Sequence, residues 1–195
     1  MRSDATRNRE AILRATEELL AAHGAEHISL DRVAAAAGVG KGTLFRRFGS
    51  RTGLFQELLA ERAAALALAI ESPDSPLGPG APPRERLLAF LDELAELAQR
   101  NLALFAAHER ACADDKYRDP TYLRWHAHVT ALIAETGLAR ARGAVSGGEG
   151  GLDAEFAAHA LLGSFDADLA RHVMADGGVA RLKSSVRGLA EALLA

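Results

Sequence analysis

The sequence predicts an all-α fold of about nine helices, and three observations carry that expectation. Apolar residues make up 49% of the 195-residue chain and are mostly Ala and Leu, both strong helix formers, while aromatic residues amount to only 5%. Apolar positions recur at three- and four-residue spacing through nearly every segment, the period of a helix with one buried face. Gly and Pro cluster between those segments rather than within them: Ser72–Pro83 holds five of the six prolines, and Gly143–Gly151 holds five glycines. Nothing suggests a strand longer than three residues.

The elements follow in order. Thr6–His23 places Ile12, Ala15, Leu19 and Ala22 on one stripe and stops at Gly24. Ser29 is a suitable N-cap for Leu30–Ala37, with Asp31 in the first turn complementing the helix dipole. Gly38-Val39-Gly40 breaks the chain before a second short helix, Lys41–Phe48, which Gly49 ends. Ser50 then caps a long helix to about Glu71, with Leu54, Phe55, Leu58 and Leu59 inward. Pro82-Pro83 opens a helix over Arg84–Gln99, followed after a kink by Leu102–Cys112. Thr121–Arg142, Leu152–Met174 and Val179–Leu194 complete the count. We expect residues 1–50 to form one domain and 51–195 another, with helix 51–71 connecting them.

Composition narrows the class. The single cysteine, Cys112, excludes an internal disulfide framework and fits a reducing compartment. No signal peptide is visible, and uncharged runs reach only 10 residues, too few to span a bilayer, so a cytoplasmic protein without membrane contact is expected. The net charge of −3 hides an asymmetry. Residues 1–62 hold ten Lys/Arg against eight Asp/Glu, and Arg32–Gln56 contains five basic residues and no acid. Such a segment attracts a polyanion that the acidic remainder repels.

The most informative stretch is Ser29–Ser50, SLDRVAAAAGVGKGTLFRRFGS. It reads as two short helices joined by a glycine-containing turn. Val33, Ala34 and Ala37 suit close helix crossing, Val39 plugs the turn, and Leu44 and Phe48 give the second helix its buried face. Lys41, Thr43, Phe45, Arg46 and Arg47 occupy its other faces, as a helix reading the DNA major groove requires. A helical hairpin with a solvated basic face fits the bare pattern too.

Over about residues 8–58 the chain resembles the DNA-binding signature of the TetR (tetracycline-repressor-like) family, in which a small-residue helix leads into AGV-x-x-G-T-L-Y-x-x-F. Here Ala37-Gly38-Val39, Gly42-Thr43-Leu44 and Phe48 match at fixed spacing, with Ile12, Ala15, Leu19, Gly24 and Ser29 agreeing upstream. The resemblance implies a DNA-facing surface of Lys41, Gly42, Thr43, Phe45 and Arg46, with Thr43 the base contact. It sets Arg47, Arg51 and the helix start at Ser50 against phosphates. One departure stands out: Phe45 replaces the usual tyrosine, so no hydroxyl is offered to a phosphate there.

For the remainder, the resemblance implies a ligand cavity, a homodimer and a double-stranded DNA operator released by a small-molecule inducer. The expected pocket residues are Leu94, Leu97, Phe105, His108, Tyr122, Trp125, His126, Val129, Phe156 and His159, although the same positions serve equally as ordinary core. The expected dimer residues are Ala157, Ala160, Leu161, Ser164, Asp168 and Arg171, with Leu182, Val186, Leu189 and Leu193 from the last helix. His108 and Cys112 share a helical face as a metal-ligand pair would, but no third ligand is identifiable by spacing, so neither metal nor cofactor is expected. No G-x-S-x-G, P-loop, H-E-x-x-H or paired C-x-x-C occurs, which argues against an enzyme. A ligand-independent architectural or division-linked DNA binder is the remaining alternative.

Overall fold

The computed structural model describes residues 4–112, 116–137 and 152–195. The expected loop Gly143–Gly151 lies outside these residues. Eleven α-helices are present among them: α1 Asp4–His23, α2 Leu30–Ala37, α3 Lys41–Phe48, α4 Arg51–Arg62, α5 Ala64–Glu71, α6 Pro83–Arg100, α7 Leu102–Ala111, α8 Pro120–Glu135, α9 Ala154–Gly163, α10 Ala167–Met174 and α11 Gly178–Leu193. The two beyond the expected nine come from two long segments that each divide.

The first division falls at Ala63, which lies at φ −85° and ψ −4° between α4 and α5. No Gly, Pro or capping side chain announces it in the sequence. The second falls after Gly163, where the Asp166 carboxylate accepts from the backbone N–H groups of Asp168 and Leu169 and starts a new helix. A third difference is at α8, which stops at Glu135 where Gly137 takes the left-handed conformation at φ 77°; the rest of the expected stretch to Arg142 lies outside the described residues.

The described residues form two compact units. The first contains α1–α4 and α7. Its core is Ile12, Leu13 and Leu20 of α1, Val33 and Ala34 of α2, Leu44 of α3 and Leu54, Phe55, Leu58 and Leu59 of α4. The buried face of α1 is rotated from the expected stripe. Leu13 and Thr16 are buried, Thr16 by donating its hydroxyl to the Ile12 carbonyl at 2.8 Å, whereas Leu19 is half-buried and Ala22 exposed. Arg9 ties α1 to α4 by reaching Glu57 at 2.8 Å and Glu61 at 2.7 Å, and Arg62 of α4 pairs with Glu17. The Thr52 hydroxyl donates to the Ala111 carbonyl at 3.1 Å, fastening α4 to the end of α7.

The second unit contains α5, α6 and α8–α11. Helix α6 buries Leu87, Phe90, Leu91 and Leu94 against partners that include Val129, Leu132 and Ile133 of α8 and Leu182 and Val186 of α11. Along its flank, Asp92 meets Arg187 at 2.7 Å and Glu96 meets Lys183 at 2.6 Å. The pairs run in opposite sequence order, so α6 and α11 are antiparallel and one charge ladder fixes their register. Its hydrogen bond to Lys183 holds the Glu96 carboxyl below the usual glutamate range.

Candidate functional site

In the first unit, α2 and α3 form a helix-turn-helix. The Ser29 hydroxyl accepts from the Arg32 N–H at 3.2 Å and starts α2. Gly38 ends it in the left-handed conformation at φ 66°, a geometry that disfavours any side chain. The Val39 N–H donates to the Ala34 carbonyl at 3.0 Å, and the Gly40 carbonyl accepts from Thr43 at 2.9 Å to begin α3. Leu44 and Phe48 face the core, and Val39 is half-buried in the turn.

The exit from α3 is equally constrained. Gly49 turns the chain at φ 70°, and the Ser50 hydroxyl accepts from the Gly53 N–H at 3.0 Å to cap α4. A Cβ on Gly53 would lie 2.1 Å from the Phe48 carbonyl oxygen, so only glycine allows this approach. Together these contacts fix where α3 begins and ends, and its outer face is free of the core.

That outer face carries the expected residues. Lys41, Gly42, Arg46 and Arg47 are exposed, Thr43 is half-buried, and the Phe45 ring is 58% exposed, an apolar group displayed to solvent. A Cβ on Gly42 would meet nothing within 4 Å, so the helix backbone itself is open to close approach there. The Arg51 guanidinium lies 5.4 Å from the Phe55 ring centroid and its Nε is buried. Sequence reasoning missed one partner. Lys41 Nζ lies 2.7 Å from an Asp31 carboxylate oxygen, ten residues back across the turn.

The expected pocket residues divide between the units. Phe105 and His108 are buried on α7 in the first, and the His108 Nδ1 and Cys112 Sγ are 3.7 Å apart on one helical face, as their spacing implied. In the second, Leu94, Leu97 and Val129 are buried and Trp125 is half-buried. Tyr122, His126 and His159 come together as stacked rings joining α8 to α9. The His126 and His159 centroids are 4.0 Å apart, His126 Nε2 donates to the Glu155 carbonyl at 3.1 Å, and the Tyr122 hydroxyl donates to His159 Nδ1. Burial pushes the Tyr122 phenol up to about 12, which keeps the donated proton in place. Burial, with His126 alongside, lowers the His159 pKa and favours the neutral ring that accepts it. The Phe156 ring is 71% exposed on the surface of α9.

The expected dimer residues also divide. Ala157, Leu161, Leu182 and Val186 are buried within the second unit, where they pack its own helices. Ala160, Asp168, Arg171 and Leu189 are exposed, while Ser164 and Leu193 are half-buried. Arg171 and Asp168 pair with each other at 2.6 Å. Exposed apolar side chains on α9, α10 and α11 are instead Phe156, Leu169 and Leu189.

Among the described residues, the arrangement is an anchored helix-turn-helix with a basic outer face in an otherwise helical structure. Residues 12–58 match the model of the bacterial regulatory proteins of the tetR family. An HTH-type transcriptional regulator of Staphylococcus aureus (strain USA300) is 41% identical over 54 residues, 28% of this chain and 29% of that protein. The chain thus matches less than a third of that curated relative's length. A putative TetR-family transcriptional regulator from a Rhodococcus species superimposes with a TM-score of 0.65 at 21% identity, covering 97% of this chain and 100% of the other. FadR of Thermus thermophilus, a TetR-family transcriptional repressor solved with lauroyl-CoA, gives a TM-score of 0.63 at 21% identity over 95% and 92% of the two chains. These structures establish the fold along nearly the whole chain. Among the described residues, no helix is long and apolar enough to cross a membrane.

Proposed function

We propose that this protein is a one-component transcription regulator, a homodimer that occupies a palindromic operator and leaves it when a small-molecule inducer binds. The single observation that carries this reading is α3, anchored inward by Leu44 and Phe48 while Lys41, Phe45, Arg46 and Arg47 face solvent. A short helix so mounted enters a major groove with its N-terminal side chains on base edges. Thr43 reads a base, Phe45 makes an apolar contact to sugar or a thymine methyl, and Arg46 and Arg47 supply the charge. Ser50 and Arg51 lie at the helix start nearest the backbone, where the stacking of Arg51 on Phe55 leaves Arg47 the main phosphate anchor.

Residues 1–50 are the DNA-reading domain in this scheme, and residues 51–195 hold the inducer and the partner. Two reading heads serve half-sites about 34–36 Å apart, so a dimer is required. Its surface comes from the exposed apolar positions of α9–α11 rather than the buried ones. The Tyr122–His126–His159 group supplies oriented hydrogen-bonding atoms to a ligand, while the acyl-CoA complex of the similar FadR supports ligand response in this fold. Coupling between inducer and operator in such proteins is about 1–3 kcal/mol, enough for roughly 5–150-fold changes in affinity. The protein works in the cytoplasm and performs no catalysis.

Titration onto the intergenic DNA upstream of its own gene tests the reading. Specific binding at moderate salt is expected. Arg47→Ala weakens binding to all sequences and flattens the salt dependence, whereas Thr43→Ala changes preference at one base position. Tight binding without sequence preference would replace the regulator by an architectural protein, and equal loss from both substitutions would overturn the assignment of α3.

A further inference from the structure

Between Glu26 and Glu57 the sequence contains one acid, Asp31, among five basic residues. The fold brings that acid to the first residue of the reading helix. Lys41 Nζ lies 2.7 Å from Asp31 Oδ1 and 2.9 Å from Oδ2, so both carboxylate oxygens engage one ammonium. The two side chains are 63% and 68% exposed, on the surface that α3 presents outward. Two of the other basic residues of this segment have contacts of their own: Arg32 donates to the His27 carbonyl at 3.0 Å, and Arg51 lies over Phe55.

A cation contributes to sequence-independent DNA binding by neutralising a phosphate and releasing its counterion. A lysine already neutralised by a carboxylate releases none. The same lysine, with its ammonium held at a fixed place beside the start of α3, still offers N–H donors to a guanine edge. We infer that Asp31 is a specificity residue: it positions Lys41 toward the groove and withholds it from the phosphate backbone, lowering binding to random DNA relative to the operator. The inference rests on the DNA-reading role proposed above.

The test measures affinity for a random-sequence duplex and for the upstream DNA across salt concentrations, using the full chain. Asp31→Asn frees Lys41 for a phosphate, and the slope of log affinity against log salt steepens by about 0.9 on random DNA. Between 50 and 200 mM salt that is an extra loss of about 3.5-fold, with tighter random binding at the low end and a smaller operator-to-random ratio. Asp31→Ser, which removes the charge with a different shape, has the same effect. Adding Lys41→Gln to Asp31→Asn takes the gain away. An unchanged slope in both charge-removing variants, or a gain that survives in the double variant, overturns the inference while the DNA-reading role stands. A wild-type chain that binds no duplex at low salt overturns that role, and the assignment of Asp31 falls with it.

Discussion

The two units are held together by different means. In the helix-turn-helix of the first, whose α1 and α4 are also tied by Arg9, position is set by backbone geometry at single residues: a left-handed Gly38, a serine cap on each side of α3, and a Gly53 that admits a carbonyl oxygen at close range. In the second, side chains from distant elements do the fastening, through the Asp92–Arg187 and Glu96–Lys183 ladder and the Tyr122–His126–His159 stack. Backbone constraints tolerate little substitution and hold one geometry. Side-chain pairs exchange partners, protonate and yield. The proposed reading head benefits from the first kind of construction and the proposed responsive body from the second.

Substitutions of graded severity sharpen this contrast. Leu44→Ala empties the fully buried centre of the helix-turn-helix and is expected to cost about 2–5 kcal/mol, seen as a lower denaturant midpoint with loss of DNA binding. Gly53→Ala follows, because its Cβ has no room beside the Phe48 carbonyl; forcing the α3–α4 corner apart costs about 1–3 kcal/mol. It should abolish operator binding while the fluorescence of Trp125, the only tryptophan and a member of the second unit, stays native. Normal operator binding by this variant would break the comparison. Arg187→Met in the second unit removes a partly exposed ion pair and is expected to cost only about 0.2–1 kcal/mol in thermal unfolding.

Acidification gives the smallest and most selective effect. Burial lowers the pKa of His128, packed edge-on to Phe90, as it does that of His159. For both groups the unfolded chain binds protons more readily than the folded one. Their contribution to stability is therefore complete above the ordinary histidine pKa of about 6.5 and is lost as pH falls toward their depressed folded values. Glu96 behaves likewise at lower pH: its contribution is present above the ordinary glutamate pKa and disappears as pH falls through its depressed value. Trp125 fluorescence followed during thermal unfolding should report a declining midpoint between neutral pH and pH of about 5. A midpoint that rises on acidification would show that the imidazoles are not held neutral.

The same contrast explains what was legible in the sequence. Ser29, Gly38, Gly49 and Ser50 announce the ends of α2, α3 and α4 because each acts on residues within one turn of itself. The second unit depends on pairs such as Asp92 with Arg187, 95 residues apart, which no local pattern reveals. Buried and exposed apolar residues were confused for a related reason. Leu182 and Leu189 lie one helical heptad apart in an amphipathic segment, and only packing against α6 decides which is covered. Asp166 was legible but overlooked: an acid ahead of Ala167-Asp168-Leu169 is an ordinary N-cap, and it divides the expected helix in two. The Asp31–Lys41 pair was hidden by the turn between its members, since helical spacing rules apply within a helix and not across a break.

Gly42 has a consequence of another kind. It is the second residue of α3, exposed, with no atom of another element within 4 Å of where a side chain would begin. Replacement there meets no occupied space inside the protein, and Ala would favour the helix by about 1 kcal/mol. Under the proposed DNA-reading role, the position is open to evolutionary drift in operator preference without a stability barrier. A randomised library at Gly42 would sample new recognition sequences on an unchanged scaffold, and a lineage could change its target gene through this one codon.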